Sequence, residues 1–172
     1  MAKKKYFKKK AVLRAISKYH RRKLNFVTDV FIDNDNVTHI DGQQTNSLVI
    51  GETLVTNTGQ FQTLGKDYAF VKLRGIAVEA VPIEFSARYN SGLCLGQAND
   101  SIVFNSIRTQ PNILLINPHG KSRAYFRINS EFTSTNSIEL FNNVALLPFT
   151  QGAGRLRYTI KVTLYLTFKT NV

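Results

Sequence analysis

Hydrophobic and polar positions alternate most strictly near the end of the chain. From Leu156 to Phe168 every even position is apolar, and from Arg155 to Lys169 every odd position is Arg, Lys, Thr or Tyr. Such a run predicts a long antiparallel strand with one face in a core and the other turned outward. From residue 26 the period turns from helical to alternating, and Phe26–Ile32 predicts an early strand, closed by the turn cluster Asp33-Asn-Asp-Asn36. Ser47–Val55 reads as a further strand. Phe61, Leu64 and Tyr68 lie at i, i+3 and i+7, which predicts one or two helical turns feeding directly into a strand over Phe70–Ile83.

That last stretch carries a phase shift. Val71 and Leu73 share one face, while Ile76, Val78 and Ala80 keep the alternation one residue out of step. An extra residue at Arg74-Gly75 restores a single apolar face, and glycine suits a β-bulge. Pro82 marks the strand end or an edge position. Beyond it, Glu84–Tyr89, Leu93–Leu95, Ile102–Phe104, Arg123–Ile128, Ser137–Phe141 and Val144–Leu147 are short strand candidates. Asn90-Ser-Gly92 reads as a break, and Ile113–Ile116 as a buried apolar run. No stretch after residue 25 offers a helix longer than two or three turns. Eight to ten strands at short spacing describe an all-β sandwich or barrel.

The start of the chain has a different pattern. Residues 3 to 10 read Lys-Lys-Lys-Tyr-Phe-Lys-Lys-Lys, where self-repulsion favours an extended, solvated segment. Residues 11 to 24 lack Gly and Pro and predict a helix. Val12, Leu13, Ile16, Tyr19, His20 and Leu24 fall on one side, and Arg14, Lys18, Arg21 and Arg22 on the other. The division expected is a basic arm over 1–24 and a folded domain over 25–172.

Charge sets that arm apart. Among the 172 residues are 23 basic and 11 acidic side chains, for a net charge of +12. The first 23 residues hold eleven of the basic ones and no carboxylate, which leaves 12 against 11 for the remainder. A nearly balanced body thus carries a cationic handle of +11.

Composition narrows the classes. With 43% hydrophobic and 11% aromatic residues the body is globular. The single Cys94 precludes an intrachain disulfide and reads as a small buried hydrophobe. No apolar run approaches the roughly 18 residues that span a bilayer, and the start has no apolar region of a secretory signal. Lysine triplets with one serine fit a mitochondrial transit peptide poorly. Phosphate-loop, zinc-protease and paired-cysteine motifs are absent, so no cofactor and no catalytic residue is assigned. His20, His39 and His119 are scattered. Gln151-Gly-Ala-Gly-Arg155 leads into a strand and reads as a hinge, not a phosphate cradle. Asp33 and Asp35 begin like a calcium loop, but Val37 occupies the third ligand position and no terminal glutamate follows. An acidic turn is preferred there, with an inter-subunit cation site as the second reading.

The arm supplies chemistry of its own. Lys3, Lys4, Lys5, Lys8, Lys9, Lys10, Arg14, Lys18, Arg21, Arg22 and Lys23 are the candidate nucleic-acid-binding residues. Each cation that replaces a condensed counterion on a phosphate backbone releases it, which gives tight, salt-dependent, sequence-independent binding. Tyr6 and Phe7, between the lysine triplets, either stack on unpaired bases or pack on the body. A membrane-surface helix needs a bulkier apolar face than Val12, Leu13 and Ile16 provide.

Three stretches carry a resemblance. Phe61-x-x-Leu-x-x-x-Tyr68 leads into Lys72-Leu-Arg-Gly-Ile-Ala-Val-Glu-Ala-Val-Pro82, and the chain closes on Tyr165-Leu-Thr-Phe-Lys169. With the basic arm, this layout resembles the single jelly-roll coat proteins of small icosahedral viruses. The closer likeness is to circovirus-like circular single-stranded DNA viruses, the second to satellite RNA viruses. The lysine-rich arm is shorter than the arginine-dominated arms of circovirus coats. The resemblance implies an eight-stranded jelly roll, a self-assembling shell of sixty copies, and a packaged single-stranded genome, DNA favoured over RNA. It also implies a virion location, with passage through the host nucleus guided by the arm. Two other classes stay open: a cellular nucleic-acid-binding β-domain of ribosomal or chromatin type, and a jelly-roll binding module or enzyme whose arm is a localisation signal.

Overall fold

A computed structural model describes residues 19–85, 90–97, 112–137, 139–151 and 155–170. Most of the predicted arm, residues 1–18, lies outside these, as do the candidate strand Ile102–Phe104 and the hinge Gly152–Gly154.

In chain order the elements are β1 (Tyr19–Ile32), β2 (Thr38–Ile40), β3 (Gln43–Gln44), β4 (Leu48–Val49), α1 (Ile50–Asn57), α2 (Gly59–Asp67), β5 (Phe70–Phe85), β6 (Asn90–Gly96), β7 (Ile113–Leu115), β8 (Ser122–Arg127), β9 (Thr133–Ser134), β10 (Ala145–Gln151) and β11 (Leu156–Lys169). The larger sheet runs β3-β2-β1-β11-β5-β8, with β9 also on β5, and the smaller runs β4-β10-β6-β7. The pairings nest: β1 with β11, β4 with β10, β5 with β8 and β6 with β7, all antiparallel. A long double-stranded ribbon rolled into two facing sheets is a jelly roll.

The core lies between the sheets and follows the alternation. Leu156, Tyr158, Ile160, Val162, Leu164, Leu166 and Phe168 of β11 are all buried, as are Leu24, Phe26, Val30 and Ile32 of β1 opposite them. On β5 the ladder to β11 pairs Gly75 with Tyr165 and Leu73 with Leu166, so Arg74 is the extra residue of a bulge. The phase shift in the sequence is thereby absorbed, and Val71, Leu73, Ile76, Val78 and Ala80 all face the core. A second bulge at Ile83 follows Pro82, beyond the reach of β8, where a missing N–H costs no ladder bond.

Several expectations are corrected. The arm helix does not extend through residues 19–24, because Tyr19 pairs with Lys169 and the ladder continues without a break to Ile32. Fourteen cross-strand partners outweigh the weak preference of a short, highly charged helix. Ser47–Val55 is a strand only at Leu48–Val49 and then becomes α1, whose Ile50 and Leu54, four apart, are both fully buried. A short apolar run fits either period, and here tertiary burial selects the helix. Asn90–Gly92 belongs to β6 and does not break it, and β10 continues through Pro148. β4 pairs only Ala145 and Leu146, so Pro148 has a free side. Ser137–Phe141 holds no strand where described, and residues 139–141 are turn. In the run Ile113–Ile116, Leu115 is 64% exposed.

Candidate nucleic-acid interface

The outward face of the larger sheet is built from the polar half of each alternating strand. Register places its rows across β1, β11, β5 and β8. One row holds Lys23, Tyr165, Gly75 and Arg127, the next Asn25, Thr163, Ala77 and Tyr125, and the next Val27, Lys161, Glu79 and Arg123.

Charge divides this face into two halves. Toward the end of β1, carboxylates and cations neutralise each other. Asp29 accepts a hydrogen bond from the Thr159 hydroxyl at 2.7 Å and another from Arg157 at 3.2 Å. Those bonds, that from Thr159 first, hold its carboxyl below the ordinary range. Glu79 accepts from Arg123 Nε at 2.7 Å and lies 3.3 Å from Lys121 Nζ, and its carboxyl is likewise lowered, chiefly by Arg123. Of the outward cations that the last strand offers, Arg157 is therefore committed to a neighbour, and Lys161 stands opposite Glu79 in the ladder.

The half at the start of β1 is different. Arg21, Lys23, Lys72, Arg127 and Lys169 occupy its outward positions, and Arg74 projects from the bulge between them. No ion pair among the described residues involves any of the six. The ammonium groups of three of them lie over aromatic rings. Lys23 Nζ is 5.2 Å from the Tyr165 ring centre. Lys169 Nζ is 5.6 Å from that of Phe70 and 5.8 Å from that of Phe132, and Lys72 Nζ is 5.9 Å from Phe132. Tyr19 tilts against Phe132 at 5.9 Å, and Tyr125 meets Tyr165 edge-on at 5.5 Å. Gly75 makes the second contact possible: a Cβ there would collide with the Tyr125 hydroxyl and come within 2.8 Å of Phe126 O.

Of the candidate binding residues, Lys3, Lys4, Lys5, Tyr6, Phe7, Lys8, Lys9, Lys10, Arg14 and Lys18 lie outside the described residues. Arg21 and Lys23 join the cation-rich half. Arg22 has the parity of a core position, opposite Leu166, yet is exposed at the sheet's end. Lys72, Arg74, Arg127 and Lys169 were not among the candidates. Alternation marks Lys72 and Lys169 as outward-facing, but only the register between distant strands gathers all four beside Lys23.

The acidic turn is occupied by its own backbone. Asp33 accepts from the N–H groups of Asp35 and Val37, each at 2.9 Å, and lies 3.4 Å from His39 Nε2. The Val37 N–H, above all, lowers its carboxyl from the ordinary range. Among the described residues no group of three or more His, Cys, Asp and Glu side chains gathers to hold a metal ion. His20 packs on Tyr68 with ring centres 5.0 Å apart, and Cys94 is buried.

No family model and no curated protein sequence matches the chain. Solved structures do match. Cocksfoot mottle virus gives a TM-score of 0.58 at 7% identity, covering all of this chain and 93% of that one. A mud crab tombus-like virus gives 0.56 at 10% identity over 99% of this chain and 90% of that one. The BFDV capsid protein, solved as a 60-mer, gives 0.51 at 13% identity over 88% and 94%. At such identities the likeness is one of fold. The fold is the single jelly roll that viral capsid proteins adopt, and it is not confined to the circovirus-like kind.

Proposed function

We propose that this chain is the coat protein of a small icosahedral virus, that sixty copies close into a shell, and that the basic arm packages a single-stranded genome inside it. The observation that carries this reading is the division of charge. Of the net +12, +8 precedes β1 and Arg21, Arg22 and Lys23 at its start add +3, which leaves the rest of the jelly roll almost neutral. Closed symmetry turns a small protein into a large container through repeated contacts. Sixty arms of +8 ahead of β1 would bring in roughly 480 positive charges, enough to neutralise about a quarter or more of a genome of about one to two thousand nucleotides. DNA is favoured over RNA on the motif likeness of residues 61–82. The role is structural, and the virion is its location, with assembly in the host nucleus as a further part of the proposal.

Because Tyr19 onward belongs to β1, the informative truncation removes residues 2–18 and no more. The shortened chain is expected to form shells that lack nucleic acid, shown by an ultraviolet absorbance ratio of protein alone and by nothing protected from nuclease. Retention of the full nucleic-acid content would refute the role given to the arm. The rival reading, a monomeric nucleic-acid-binding β-domain, draws support from the cation-rich half of the larger sheet. Particle formation separates the two.

A further inference from the structure

We infer that the cation-rich half of the larger sheet is a second nucleic-acid site, a stacking platform for unpaired bases of single-stranded DNA or RNA. It rests on the packaging role proposed above, shares Arg21 and Lys23 with it, and adds Lys72, Arg74, Arg127, Lys169 and the rings of Tyr19, Tyr125 and Phe132. Three features of this face support it. Rings that pack on one another still present open area on this half: Tyr125 is 55% exposed, Tyr19 49% and Phe132 37%. Six cations, Arg21, Lys23, Lys72, Arg74, Arg127 and Lys169, share this half of the sheet with the rings and have no carboxylate partner among the described residues, while the carboxylates Asp29 and Glu79 on the same face are paired in its other half. Several of the cations already lie over ring faces, which holds Lys23, Lys72 and Lys169 in place.

That combination is selective. Cations tracking a backbone and rings offering a π-face are the two parts of a single-strand site, whereas a duplex hides its bases from such rings. An acidic protein segment would be drawn by the charge alone and would leave the exposed rings without a function. The site is also continuous with the arm, because residue 18 joins Tyr19 at this end of β1. One strand can therefore be held by arm lysines through its phosphates and by the platform through its bases.

The test uses the full-length protein and a twenty-nucleotide oligothymidylate. Photo-crosslinking followed by peptide mapping is expected to mark Tyr19, Tyr125 or Phe132 as well as residues 2–18. Tyr125→Ser and Phe132→Ser, each checked for an unchanged melting temperature, should each weaken binding about tenfold and spare binding to a duplex of equal length. Lys72→Gln with Lys169→Gln should lower the slope of log affinity against log salt by about 1.4. Crosslinks confined to residues 2–18, with both Ser variants binding as the parent does, would overturn the platform and leave the arm's role intact. Absence of any binding by the full-length chain would overturn both. Ser variants that bind normally but no longer assemble would show the face to be a contact between copies, which also refutes the inference.

Discussion

Asp29 and Arg157 meet across the β1–β11 ladder, 128 residues apart in sequence, with Arg157 Nη2 3.2 Å from Asp29 Oδ2. The Thr159 hydroxyl donates to the other carboxylate oxygen, so Asp29 ties the start of the last strand to the first. Its folded pKa lies below the unfolded one of about 3.9. Its contribution is therefore complete above the unfolded value and is lost as pH falls through the folded value. Side chains this exposed contribute modestly. Asp29→Asn is expected to cost about 0.5–1 kcal/mol at pH 7 and to flatten the loss of stability below about pH 4. Thermal melts of both proteins from pH 7 to pH 3 check this, and an unchanged difference at every pH would show the pair to be inert.

Backbone packs on backbone where α1 crosses the turn before β10. A Cβ at Gly51 would fall on Leu140 O, with Leu140 C at 2.6 Å and Asn142 Oδ1 at 3.0 Å. No side-chain rotation relieves a clash with a carbonyl, so Gly51→Ala is expected to cost about 1–3 kcal/mol or more, despite the helix preference of alanine. Urea denaturation measures it. A stabilised variant would mean that α1 has room to move.

Tyr158 sits in the core with its hydroxyl buried and without a well-formed hydrogen bond among the described residues, near Ser91, whose hydroxyl donates to Phe149 O at 2.9 Å. Burial pushes the phenol far above its ordinary pKa. Tyr158→Phe removes a poorly satisfied polar atom while keeping the ring, and is expected to be neutral or to stabilise by up to about 1 kcal/mol. Leu164→Ala, which opens a cavity between Leu24 and Ile76 in the same sheet, should cost about 2–5 kcal/mol. A large loss from the Tyr158 variant would reveal a hydrogen bond that matters.

Salt reports on the arm. If the eight cations of residues 3–18 replace counterions, they alone contribute as much as about −6 to the slope of log affinity for a long single strand against log salt. Titration by fluorescence anisotropy between roughly 50 and 200 mM salt reads the slope directly. A value near −1 would contradict phosphate neutralisation by the arm.

The sequence disclosed the sandwich wherever one face is buried and the other is solvated. β11 could be read residue by residue, and the bulge at Arg74-Gly75 followed from a single break of phase. It failed where both periods fit a short apolar run, as at Ile50–Leu54, and where one strand's length depends on a partner far away. Tyr19–Lys23 look helical alone and become strand only beside Thr167 and Tyr165. The proposed binding surface divides in the same way. Its lysine run is plain in the sequence, whereas the grouping of Lys72, Arg127 and Lys169 with Lys23 exists only in the register of four strands.

Electron microscopy of the purified full-length chain, with nuclease digestion before and after disassembly, tests the central proposal most directly. Closed isometric particles of one small size are expected, holding single-stranded nucleic acid that nuclease reaches only once the shell is opened. Monomers or dimers alone, at high concentration and near-neutral pH, would contradict the proposal.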